Sequence, residues 1–154
     1  MSKGKSKTLA AFLALVLGTM GLHRFYLKGW GDWVGWLFPI PTALGWWGVE
    51  RVRALGQDDQ LAWVLVPMLG VALAASCLTA VVYAVTPQDK WNAAHNPHLP
   101  ADAPAGAGHA LTIAVLVIAM LTGTTAFMAS LAFSFQRYFE YQIEEAKKIS
   151  QPGG

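Results

Sequence analysis

The residues best suited to chemistry lie in one short stretch, Gly21-Leu22-His23-Arg24-Phe25-Tyr26-Leu27, followed by Lys28-Gly29-Trp30-Gly31. An arginine here can pair with a phosphate or lie over an aromatic face. Phe25 and Tyr26 suit a water–lipid boundary, where an apolar ring carries a polar tip. His23, Arg24, Phe25 and Tyr26 are therefore candidates for a turn that binds lipid headgroups or a protein partner. A second group, His95, His98 and His109, could hold zinc or copper through imidazole nitrogens. Its His-Asn-Pro-His spacing is no known ligand pattern, and no cysteine assists, so solvated histidines are the default and no metal is expected. The one cysteine, Cys77, sits in an apolar run and forms no intrachain disulfide. No segment offers a nucleophile with a base, a phosphate-binding loop or paired acids. The chain is expected to be no enzyme and to carry no cofactor.

The elements that must position these residues are set by where charge is missing. The chain is 55% apolar and 13% charged, against about 25% charged for soluble domains. Its charges cluster between apolar runs, because a charge near the bilayer centre costs at least about 2.5–3.5 kcal/mol. The runs are Leu9–Leu22, Trp33–Val49, Leu61–Thr86 and Ala110–Phe135. The last two span a hydrocarbon core of about 30 Å with tilt. The first is short, about 21 Å as a helix, and would need Lys7 and Arg24 to snorkel outward. A signal peptide is the alternative for it, though no small-residue cleavage site ends the run. The second holds Pro39 and Pro41. Each proline removes a donor and crowds the carbonyl four residues earlier, which predicts a kink and unpartnered carbonyls at Gly35 and Leu37. A kinked packed helix and a broken helix lining a transport path are both readings of it.

The expected fold is thus all-α and polytopic, with four transmembrane helices. Its parts are a basic tail (1–8), a hairpin of two short helices (9–52), a cytoplasmic loop (53–60), a third helix (61–86), an irregular extramembrane loop (87–109), a fourth helix (110–135) and an amphipathic tail (136–154) that ends in a frayed Pro-Gly-Gly. In a four-span arrangement Lys3, Lys5, Lys7, Arg51, Arg53, Arg137, Lys147 and Lys148 share one side, and Arg24, Lys28 and Lys90 the other. The positive-inside rule then places both termini in the cytoplasm, in a plasma or bacterial inner membrane. Trp30, Trp33 and Trp36 mark one interface, and Trp46 and Trp47 the other. Small residues recur at Ala72, Ser76 and Ala80, and at Ala126, Ser130 and Ser134. Such stripes let helix backbones approach closely, most simply within the chain.

The turn, with Gly21, His23, Arg24, Phe25, Tyr26 and Leu27, resembles the TM2 domain family, whose pattern runs like G-x-H/D-R-F-Y-L-G. Trp46, Trp47 and Glu50 look like that family's Trp-Trp-x-x-Asp ending. Lys28 stands where glycine is usual, and His23 replaces the aspartate of animal members. The resemblance covers about residues 5–52 and implies two short membrane helices joined by the turn, with no settled biochemical activity. The expected function is a non-enzymatic membrane module whose partners are the bilayer and either another membrane protein or a second copy of itself. Nucleic acid is not expected. The alternative is a small oligomeric channel, transporter or lipid-translocating protein built on the second helix.

Overall fold

The computed structural model describes residues Gly4 to Ser150; Lys3 of the basic tail and the terminal Pro-Gly-Gly lie outside them. The described chain is helical, with no strand. Its elements are α1 (Lys7–Leu17), a 3-10 turn (Gly18–Met20), α2 (Leu22–Lys28), α3 (Trp33–Leu37), α4 (Pro39–Leu55), α5 (Gln60–Val85), α6 (Gln88–His95), a 3-10 turn (Pro104–Gly106) and α7 (Ala110–Ser150). Two helices are long and apolar enough to cross a membrane: α5, and the helix that runs to Ser150. They lie antiparallel, packed through small residues. A side chain at Gly70 would strike Ser130, and one at Gly123 would strike Cys77. Ser134 Oγ donates to the Trp63 carbonyl at 2.6 Å. The small-residue stripes are thus occupied within the chain.

α4 runs antiparallel to α5, with Gly45 on Leu69 and Gly48 on Leu65. Pro39 is the first residue of α4, where a backbone N–H has no helical partner to lose. The expected loss at Pro39 and Pro41 is reduced to one break at Phe38, whose backbone stays helical. The Thr42 hydroxyl donates to the carbonyls of Thr19 and Phe38. α3 and α4 together span residues 33–55, about 34 Å at 1.5 Å per residue.

The first run differs most from the four-span expectation. α1 is followed by a 3-10 turn and by Gly21 at φ 74, and the chain doubles back as α2. Ala10, Leu27 and Trp91 form one buried cluster, so the start of α1 and the end of α2 meet at α6. The tip of this hairpin, at Gly18, rests on Ser76. That is nine residues short of the end of α5, or about 14 Å along it. α1 therefore enters the bundle and returns to the end it came from. Both strands of the hairpin finish beside residues 87–109, while α7 ends at the opposite end of the bundle. Among the described residues two helices, not clearly four, have the length and apolarity of a span. Hydropathy alone favoured a span for Leu9–Leu22; the structure breaks that run at Gly18–Gly21 and packs its start against Trp91 of α6.

Residues 87–109 are not the irregular loop expected from their Pro, Ala, Asn and His content. They fold as a cap. Asn92 Nδ2 donates to the carbonyls of Ala101 and Ala103 at 2.9 Å, and Gln88 Nε2 to those of Asp102 and Ala103.

Candidate functional site: the amino-terminal turn and its docking cap

The tail is held by groups drawn from distant sequence. Lys5 N–H donates to Asn96 Oδ1 at 2.6 Å, and Asn96 Nδ2 donates back to the Lys5 carbonyl at 3.2 Å. Trp91 Nε1 donates to that carbonyl at 2.8 Å. Ser6 N–H donates to Tyr26 Oη at 2.8 Å. Lys5 Nζ and Lys7 Nζ donate to the carbonyls of Leu27 and Thr86, so Lys7 places its positive charge at the end of α5, where the helix dipole is negative. Thr8 and Thr112 share a hydrogen bond of 2.7 Å. Asn92, Asn96 and Trp91 are all at most 1% exposed. Their polar atoms are buried but partnered, which is what makes such burial tolerable.

The four predicted turn residues are brought close together but do not form an exposed headgroup site. His23 is buried (1% exposed) between Phe38, 5.1 Å away edge-on, and Tyr83. Its Nδ1 has no hydrogen-bond partner. Arg24 is committed to Asp32: Nε donates to Oδ2, and Nη2 to Oδ1 at 3.2 Å. Phe25 stacks on Trp30 and touches Trp36. Tyr26 is occupied by Ser6. What faces outward is a rim of Lys28, Trp30, Trp33 and Trp36. The three tryptophans are more than half exposed. Gly21 is indispensable here: its φ is positive, and a Cβ would run into the Gly35 carbonyl.

Sequence reasoning missed the pairing of Arg24 with Asp32, and missed a second pair altogether. Arg51 Nε and Nη2 donate to Asp59 Oδ2 and Oδ1 at 2.7 and 2.9 Å. Asp59 also caps α5 through Ala62 N–H. The arginine hydrogen bonds hold the Asp32 and Asp59 carboxyls below the ordinary aspartate range. The Arg51 and Arg53 guanidiniums lie 5.6 and 5.9 Å from the rings of Trp47 and Trp46, and Arg53 pairs with Glu50. The usable signal was an arginine eight residues before an aspartate across a glycine.

The histidines do not converge. His95 packs on Trp91, with ring centroids 4.3 Å apart, and burial holds its imidazole below the ordinary value. No group of three or more His, Cys, Asp or Glu side chains converges among the described residues. Pro39 and Pro41 lie in the first turn of α4. An open apolar cleft of about 470 Å³ lies instead between α5 and α7, beside Leu78, Ala119, Met120 and Phe127.

No curated protein and no solved structure matches the chain. Residues 3–50 match the family model of the TM2 domain. That segment, about a third of the chain, holds the hairpin, the Arg24–Asp32 turn and α4 as far as Glu50; together with the two long apolar helices it marks a membrane protein whose amino-terminal part is similar to the TM2 domain.

Proposed function

We propose that the protein is a non-enzymatic membrane module that crosses the bilayer three times, through α3–α4, α5 and α7, with α1–α2 as a re-entrant hairpin. The observation that carries this reading is the docking of residues 5–8 onto Asn96, Trp91, Thr86 and Thr112. It ties the start of α1 to the end where α5 finishes and α7 begins. The α3–α4 length, about 34 Å, suits a hydrocarbon core of about 30 Å. Trp30, Trp33 and Trp36 then stand at one interface, and Trp46, Trp47 and Trp63 at the other, as aromatic belts do.

In this arrangement Lys5, Lys7, Arg24, Lys28 and Lys90 flank one surface, and Arg51, Arg53, Arg137, Lys147 and Lys148 the other. Among the described residues that is five against five, where the four-span count of eight against three included Lys3, and charge no longer argues for one orientation. The working surface is the rim of Lys28, Trp30, Trp33 and Trp36, which meets lipid headgroups or a membrane-embedded partner. A photo-crosslinker at position 33, in cells, should capture lipid or a membrane protein. Recovery of neither, with the chain inserted normally, would contradict the reading. A plasma or inner membrane is the proposed location.

A further inference from the structure

Two turns at opposite ends of the bundle share one construction. In the first, α2 ends at Gly29 (φ 85, ψ 175), whose N–H bonds to the Phe25 carbonyl. In the second, α4 ends at Gly56 (φ 92, ψ 178), whose N–H bonds to the Val52 carbonyl. Each turn then places an aspartate, Asp32 or Asp59, as the N-cap of the next helix, with φ −76 and ψ 102 in one and φ −68 and ψ 103 in the other. Each aspartate receives a two-pronged arginine from the preceding helix. Each following helix sends a tryptophan back: Trp36 Nε1 to the Trp30 carbonyl at 3.1 Å, and Trp63 Nε1 to the Gln57 carbonyl at 2.8 Å.

The sequence repeats with the geometry. Gly18, Gly21, Arg24, Gly29, Asp32 and Trp36 recur as Gly45, Gly48, Arg51, Gly56, Asp59 and Trp63, at identical spacing Gly-x2-Gly-x2-Arg-x4-Gly-x2-Asp-x3-Trp. Gly18 and Gly45 both let the backbone meet α5, at Ser76 and Leu69. The first unit rises to the cap end and turns down; the second descends to the far end and turns up. The break at Phe38 and the two prolines lie between them.

We infer that residues 18–36 and 45–63 are two copies of one helix–turn–helix unit set in opposite directions, each closed by an Arg–Asp latch. Arg24 is then a positioning residue that fixes a helix handover, and its guanidinium is not a phosphate ligand. The copies diverge just before the latch: His23 is buried, while its counterpart Glu50 is exposed and paired with Arg53. Opposed repeats of this kind give an axis in the membrane plane. Their assignment to the two membrane surfaces rests on the three-crossing reading, but the repeat itself does not.

The test is reciprocal exchange of the turns in the full chain, Gly29-Trp30-Gly31-Asp32 against Gly56-Gln57-Asp58-Asp59, purified in detergent. A version that keeps Trp30 separates loss of its stack on Phe25. Equivalent turns predict monodisperse chains that melt within about 3 °C of the parent, while a register control, Gly31→Asp with Asp32→Gly, melts at least about 5 °C lower. The charge-swapped pair Arg24→Asp with Asp32→Arg should recover part of what Arg24→Asp alone loses. Exchanged chains that fall as far as the register control, with and without Trp30, would overturn the equivalence. A control that melts like the parent, or a swap that recovers nothing, would overturn the latch. None of these outcomes depends on which side of a membrane either turn occupies.

Discussion

At the residue scale, the chain is organised by a few positions where backbone geometry or charge leaves little choice. Gly21 and Gly29 both have positive φ, but only Gly21 faces a carbonyl; Gly29 faces open space. Gly21→Ala should therefore cost more than Gly29→Ala. Gly21 lies in the left-handed helical region, about 1–2 kcal/mol for an L residue, and adds a clash with Gly35, whereas Gly29 at φ 85 and ψ 175 lies in a region essentially confined to glycine, about 1–3 kcal/mol; thermal unfolding in detergent would compare them. The Asp59 carboxyl titrates below the ordinary aspartate value of 3.8 because Arg51 hydrogen-bonds its charged form. A depressed folded-state value stabilises fully above the unfolded value and fades as pH falls through the folded one. Acidification below about pH 4 should thus lower the melting temperature, and Asp59→Asn should lower it at neutral pH while flattening that dependence. An unchanged acid profile in Asp59→Asn would show that other carboxylates dominate. At this scale the sequence was half legible. It pointed to the stretch from His23 to Tyr26, whose side chains the fold sends to different partners: Phe38 and Tyr83, Asp32, Trp30 and Ser6. It did not show that Arg24 is consumed by Asp32, because that depends on the turn at Gly29 bringing residues eight apart face to face.

At the scale of elements, the α1–α2 hairpin is held by the cap more than by its own length. α1 has 11 residues, fewer than an isolated helix needs for stability in water. Its docking relies on Trp91, which is buried against Ala10 and Leu27 and bonds to the Lys5 carbonyl. Trp91→Ala should cost about 3–5 kcal/mol and should expose residues 5–8 to a membrane-impermeant reagent, read from a cysteine at position 6 on a Cys77→Ala background. Labelling no faster than in the parent would refute the clamp. Helices α5 and α7 were readable as long uncharged runs, and the small-residue stripes on them as a packing seam. The cap was not readable. Asn92 and Asn96 look like loop residues, and their role comes from contacts with Gly106 and Lys5 across long sequence separations. The paired turns were present in the sequence as a spaced pattern, but hydropathy, which sees only apolar runs, passes over it.

For the whole molecule, the central issue is how many times the chain crosses. A short apolar run bounded by basic residues reads the same whether it spans or enters and returns; the difference lies in what its two ends touch. Both ends meet the cap, and on the proposed reading α3–α4, α5 and α7 are left to cross. α7 continues past the far end as a charged helix with Arg137–Glu140 and Glu145–Lys148 pairs. Its 41 residues make about 61 Å, against about 39 Å for α5. The most direct test is a single cysteine at position 2, ahead of the docked residues, or at position 147, each on a Cys77→Ala background, labelled in sealed vesicles of one known orientation with a membrane-impermeant maleimide. Three crossings predict that only one of the two positions reacts until the vesicles are opened. Reaction of both positions, or protection of both, in intact vesicles would place the termini on one side and contradict the re-entrant hairpin.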